Sequence, residues 1–198
     1  MPSQQRRVAA GLKVVDSATL VDSVTGVEYT NVGNQVLDRM TTPVTVGNTT
    51  TETTLVSYSD AGGVLDVDRL MHWTLVGTIT DSALDTVTVL AFRFKYGATT
   101  VITFNVTTDD GATTIGSAQA FRLIFELWAS GSTSSQLGVL TGLYPSLTSA
   151  GTVGTTIIQR GTAAIDSETP QDLVVTADWN GAAAAATMTL SAATLELL

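Results

Sequence analysis

The chain contains no cysteine in its 198 residues. That excludes disulfides, zinc–thiolate sites and thiol nucleophiles, and leaves packing and assembly to supply stability. Charge is scarce too: Asp, Glu, Lys and Arg together make up 14% of the residues, against roughly 25% in ordinary soluble domains. Positive charge is the scarcer sign, with nine basic residues against eighteen acidic ones and a net charge of −9. A nucleic-acid surface needs clustered Lys and Arg to release counterions. The body of the chain has no such cluster, so nucleic acid is not an expected partner. Long apolar runs are absent as well. Stretches such as "LVV" and "LIF" fall far short of the roughly 20 residues of a membrane-spanning helix. No apolar segment follows Arg6 and Arg7, as a secretory signal would require. The expectation is a soluble protein of cytoplasmic origin with no membrane partner.

Missing motifs extend the exclusions to chemistry. His72 is the single histidine, so no histidine pair can form a metal site, and its place in "LMHWT" suits a sheet face. The G-x-S-x-G elbow is absent, as are both glycine-rich phosphate cradles. The only lysines are Lys13 and Lys95. Three acidic pairs remain as candidates for glycoside hydrolysis or calcium binding: Asp66 with Asp68, Asp81 with Asp85, and Asp109 with Asp110. Each pair falls in a turn, where Asp is favoured for its local backbone hydrogen bonds. The chain is therefore expected to be no enzyme, with no metal and no cofactor.

What is present points to strands. Apolar residues make up 44% of the chain, enough for a sizeable core, and one domain fits the length. Threonine is about one residue in six, and a β-branched polar side chain packs well on an exposed pleat. From Met1 to about Val46 the apolar residues are scattered, without sustained periodicity. This segment (1–46) reads as an extended arm that docks on a capsid or a neighbour. Arg6, Arg7 and Lys13 are its candidate docking residues, although charges on a loose terminus are also simply solvated. Pro43 and Gly47-Asn48 punctuate the chain and set the start of the body, 47–198.

The body holds short runs of period two separated by turn signals. In "DTVTVLAFRFKYG" the residues Leu90, Phe92, Phe94 and Tyr96 share one face and Arg93 and Lys95 the other. Gly97 predicts a tight hairpin into "TTVITFNVTT". In "QAFRLIFELWAS", Phe121, Leu123, Phe125 and Leu127 share a face, with Trp128 on the opposite one. The closing "QDLVVTADWNGAAAAATMTLSAATLELL" poses a conflict, since five consecutive alanines favour helix while both flanks alternate. A five-residue helix is too short to persist, and Asn180-Gly181 has turn chemistry. The segment is read as a final hairpin. About eight strands at this spacing predict an all-β antiparallel jelly-roll-like β-sandwich, with an immunoglobulin-like sandwich as runner-up. Trp73, Trp128 and Trp179 are candidate interface aromatics, with core or interface packing the expected use of such rings and a sugar-stacking platform the alternative.

The stretches "TTTETTLVSYS", "LMHWTLVGTIT", "VLAFRFKYGATTVITFNV", "FRLIFELWA" and "IDSETPQDLVVTADWNGAAAAATMTLSAATLEL" run in order from about Val44 to Leu198. Together they resemble small tailed-bacteriophage virion proteins with a jelly-roll body. The resemblance implies a virion component made in the host bacterial cytoplasm, commonly a trimer. Such proteins decorate and cement the capsid or build head or tail fibres. The implied partners are the major capsid protein or another virion protein, and in the fibre alternative a receptor or host glycan. The resemblance brings no active site, and the arm lies outside it.

Overall fold

A computed structural model describes residues 12–14, 19–22, 28–30, 35–47, 49–65, 69–84, 87–148, 151–181 and 185–198. Every described strand pairing is antiparallel. The first three strands, β1 (Leu12–Val14), β2 (Thr19–Asp22) and β3 (Glu28–Thr30), form a small sheet of their own. The body follows with β4 (Gln35–Arg39), β5 (Val44–Gly47), β6 (Thr53–Asp60), β7 (Leu70–Asp81), β8 (Thr88–Tyr96) and β9 (Thr99–Asp109). It continues through β10 (Gly116–Ser132), β11 (Ser135–Thr148), β12 (Gly151–Ala163), β13 (Gln171–Trp179) and β14 (Ala186–Leu197). The large sheet has the order β12-β11-β10-β7-β14-β4, with β5 also on β14, and the small sheet has the order β6-β13-β8-β9. The result is the expected all-β, jelly-roll-like sandwich, in which the chain repeatedly crosses from one sheet to the other.

Period-two alternation builds the core. Along β8 buried and half-buried residues alternate without a break, and along β7 they alternate at nearly every position. The inward aromatics meet between the sheets: Phe92 with Phe121 at 5.5 Å, Phe94 with Phe125 at 4.9 Å, and Phe104 with Tyr144 at 4.8 Å. These spacings fall in the range where ring pairs add stability beyond their buried area. The hairpin from β8 to β9 turns at Gly97, whose φ of +56° favours glycine.

Two expectations are corrected. The boundary at Val46 moves toward the N-terminus, because β4 and β5 both pair with β14 and so belong to the sandwich. The cause is apolar: Val46 is buried, and Leu37, Met40 and Val44 pack against the core. The closing segment is not a hairpin. β13 pairs with β6 and β8, while β14 pairs with β7, β4 and β5 in the opposite sheet. The turn after Trp179 is anchored to the small sheet instead. Asn180 donates its amide to the Val89 carbonyl at 2.9 Å, and its Oδ1 accepts from the Val89 amide at 2.8 Å. Ala182–Ala184 lie outside the described residues, and Ala186 opens β14 as a buried strand residue.

At one edge the sheets come within backbone contact. A Cβ built on Gly161 of β12 would lie 1.8 Å from the Val101 carbonyl oxygen of β9. On β11, one built on Gly138 would lie 2.6 Å from the Val101 side chain. Only residues without a side chain allow the large sheet to curl so tightly over β9.

Candidate interaction surface

With the inner faces filled, the outer faces carry what the protein offers to others, and the two differ. On the small sheet the charges satisfy each other. Arg93 pairs with Asp178 and Lys95 with Glu52. Thr176 Oγ1 donates to Glu52 at 2.5 Å, and Ser59 Oγ donates to Asp172 at 2.6 Å. The hydrogen bonds from Lys95 and Thr176 hold the Glu52 carboxyl below its usual range. These pairs are partly exposed, so each is worth little. Lys95→Ala is expected to change the unfolding free energy by less than about 1 kcal/mol in urea titrations. A larger loss would mean that the ion pair organises the sheet.

The outer face of the large sheet has few charges and a broad apolar area. Cross-strand register places His72 between Glu126 on β10 and Glu196 on β14. Its Nδ1 lies 3.4 Å from Glu126 Oε1, and its Nε2 lies 3.2 Å from Thr74 Oγ1. Among the described residues no three His, Asp or Glu side chains converge as metal ligands. Around this row lie half-buried Trp128, Ile124 and Val139. Leu143 and Ile158 are 55% and 84% exposed. An isoleucine open to that degree beside other apolar residues marks a contact surface more often than a lone exposed side chain would.

The sequence-selected residues scatter across the molecule. Trp128 faces outward, as its strand parity predicts. Trp73 and Trp179 are completely buried, so of the two uses expected for them they serve the core and not an interface, which leaves no three-ring platform. Trp73 has the same parity as Met71, Leu75 and Ile79, a signal that was present in the sequence. Arg6 and Arg7 lie outside the described residues, and Lys13 stands in β1 opposite Val21. Asp66, Asp68 and Asp85 are likewise outside them. Asp81 is buried and accepts from Thr108 Oγ1 at 2.8 Å. Asp109 accepts from the Gly111 amide at 2.6 Å, and Asp110 accepts from the amides of Ala112 and Thr113. Those two amides hold the Asp110 carboxyl below its usual range. The turn reading of Asp109 and Asp110 therefore stands. Sequence reasoning missed Ile158, because adjacent Ile157 and Ile158 fit either face of β12 equally well.

One recess, of about 370 Å³, is lined by Ser59, Asp60, Gly97, Pro170, Gln171 and Asp172. Its two carboxylates do not converge. Asp60 is buried and Asp172 exposed, and Asp172 stands opposite Ser59 while Gln171 stands opposite Asp60. Neighbouring register positions put the two on opposite faces of the sheet. Burial pushes the Asp60 carboxyl up, against hydrogen bonds from the Gly62, Val64 and Leu65 amides and from Tyr96. Burial, with Asp60 nearby, also pushes the Tyr96 hydroxyl up. A raised carboxyl favours the folded state while protonated, and that contribution is lost as pH rises through the folded value. Asp60→Asn keeps an acceptor for the Gly62 amide, which donates to Asp60 Oδ1 at 2.9 Å. The variant is expected to gain stability relative to the parent as pH climbs just above the usual carboxylate range. Urea titrations at several pH values would read this, and a constant difference across them would refute it.

No protein-family model and no curated protein matches the chain. Among solved structures, the chain is similar to the CBM2 module of the evolved Dit of Lactobacillus casei BL23 phage J-1. That match has a TM-score of 0.38 and 12% identity, and covers 71% of this chain and 67% of the module. It is also similar to the D431N mutant VP2 protein of infectious bursal disease virus in derived T=1 particles. There the TM-score is 0.32 at 13% identity, over 100% of this chain and 44% of VP2.

Proposed function

We propose that this chain is a non-enzymatic structural protein of a tailed-phage virion, sitting on the outer capsid as a decoration or cement protein. It works as a trimer, and the part of the chain before β4 contributes to docking on the major capsid protein or a neighbour. The observation that carries this reading is the sequence resemblance of the stretch from about Val44 to Leu198. The resembling stretches fall on strands of one sandwich, namely β6, β7, β8 with β9, the middle of β10, and β13 with β14. The broad, sparsely charged outer face of the large sheet supports it. The fibre alternative called for exposed aromatic rings grouped with carboxylates, and the burial of Trp73 and Trp179 removes its main support.

The test is location. Antibody labelling of intact particles, with mass spectrometry of purified virions, should find the chain on the capsid at many copies. Finding it only at a tail tip, or only in the soluble fraction of infected cells, would overturn the proposal.

A further inference from the structure

We infer that the outer face of the large sheet, over β10, β11 and β12, is the surface on which a second copy of this chain docks. The inference rests on the proposal that the chain self-associates, and it specifies the contact.

Charge is the first argument. At a net charge of −9, two copies repel wherever acidic surfaces meet. This face reverses the balance: it presents Arg39, Arg122 and Arg160 against Glu126 and Glu196. One row across it also runs from positive to negative. Arg160 stands on β12, in register with Val139, and Val139 is in register with Glu126. The Glu126 row continues through His72 to Glu196. Along this row the order is therefore positive, apolar, then negative, while Arg122 shares β10 with Glu126 and Arg39 stands on β4 beyond the row's acidic end. A second copy placed against this face can set its arginine end over the glutamates of the first. Complementarity of this kind steers association and fixes register.

Shape and hydropathy agree with the charge. Thr141 stands opposite Ile158 and Leu143 opposite Thr156, which makes Leu143 and Ile158 diagonal neighbours within reach of one another. Ile124 stands opposite Thr141 on the next strand, so the three side chains form one apolar patch. β12 stays in register with β11 at every residue from Gly151 to Ala163. It therefore lacks the bulges, and also the lysines and prolines, that usually blunt an edge strand. The outer face of the small sheet offers none of this, because its charges are engaged in ion pairs within the chain.

The experiment is sedimentation velocity on the isolated protein over a range of concentrations. Three chains are compared: the parent, the double variant Leu143→Glu with Ile158→Glu, and Ser57→Glu, an exposed position on the small sheet. The parent and Ser57→Glu should associate alike. The double variant should show a dissociation constant raised at least about tenfold, with its thermal unfolding midpoint retained as proof of folding. A parent that is monomeric throughout, or a folded double variant that associates as the parent does, overturns the inference. Because the readout needs no particle, a monomeric parent would leave the capsid location of the chain to be decided by labelling.

Discussion

Trp179→Ala is expected to lower the unfolding free energy by about 3–5 kcal/mol, the range for removing a large aromatic from a packed core. That is a large share of the roughly 5–15 kcal/mol by which native domains are stable. Trp179 is completely buried at the end of β13, and it joins parts of the chain that are far apart in sequence. Its indole Nε1 donates to the Val46 carbonyl at 3.3 Å, and its backbone amide donates to the Thr49 carbonyl at 3.0 Å. A comparison with Trp73 separates the hydrogen bond from the volume. Trp73 is equally buried, but its indole nitrogen has no hydrogen-bond partner among the described protein groups. Trp179→Phe should therefore cost more than Trp73→Phe, because it strands the Val46 carbonyl. Denaturant titrations of the three variants check this. Equal losses for the two Phe variants would show that the Val46 bond contributes nothing.

The second large effect comes from adding one methyl group. Gly161→Ala places a Cβ 1.8 Å from the Val101 carbonyl oxygen and 2.8 Å from its carbon. No rotamer relieves a clash of Cβ with backbone, so β12 must lift away from β9. Overpacking costs about 1–3 kcal/mol where side chains can yield, and more where they cannot. We expect a loss at or above the top of that range, with the damage concentrated where β12 crosses β9. Gly154→Ala, on the same strand with open space around its Cβ position, should be close to neutral. Hydrogen exchange would show β12 amides losing protection in Gly161→Ala and keeping it in Gly154→Ala. Intact protection in both would mean that the sheets separate freely at that edge.

Much of the sandwich was legible because period two needs only local sequence. Leu90, Phe92, Phe94 and Tyr96 point inward as their spacing dictates, and so do Phe121, Leu123, Phe125 and Leu127. Strand adjacency was less legible. β13 and β14 follow one another and look like a hairpin, yet they lie in different sheets, because the choice is made by what Trp179 and Asn180 grip. β4 and β5 were hidden for a related reason. They are short, with only two apolar residues each, and they become strands only because β14 offers them an edge. The interaction surface was legible through Trp128 alone. The exposure of Ile158 depends on how β12 bends over β9, which the glycines permit but do not announce.

The position of β14 has a consequence for how the protein comes into being. This strand lies inside the large sheet, bonded to β7 on one side and to β4 and β5 on the other, yet it follows every other described strand in the chain. As the chain leaves the ribosome, β7 and the β4–β5 segment wait with open edges until residue 186 and beyond have emerged. Contacts so distant in sequence slow folding, and waiting edges are where aggregation begins. Synthesis at high concentration therefore favours chains that stay bound to the ribosome or to a chaperone until β14 is inserted. A dilute, slow refolding regime should recover more native protein than a rapid, concentrated one.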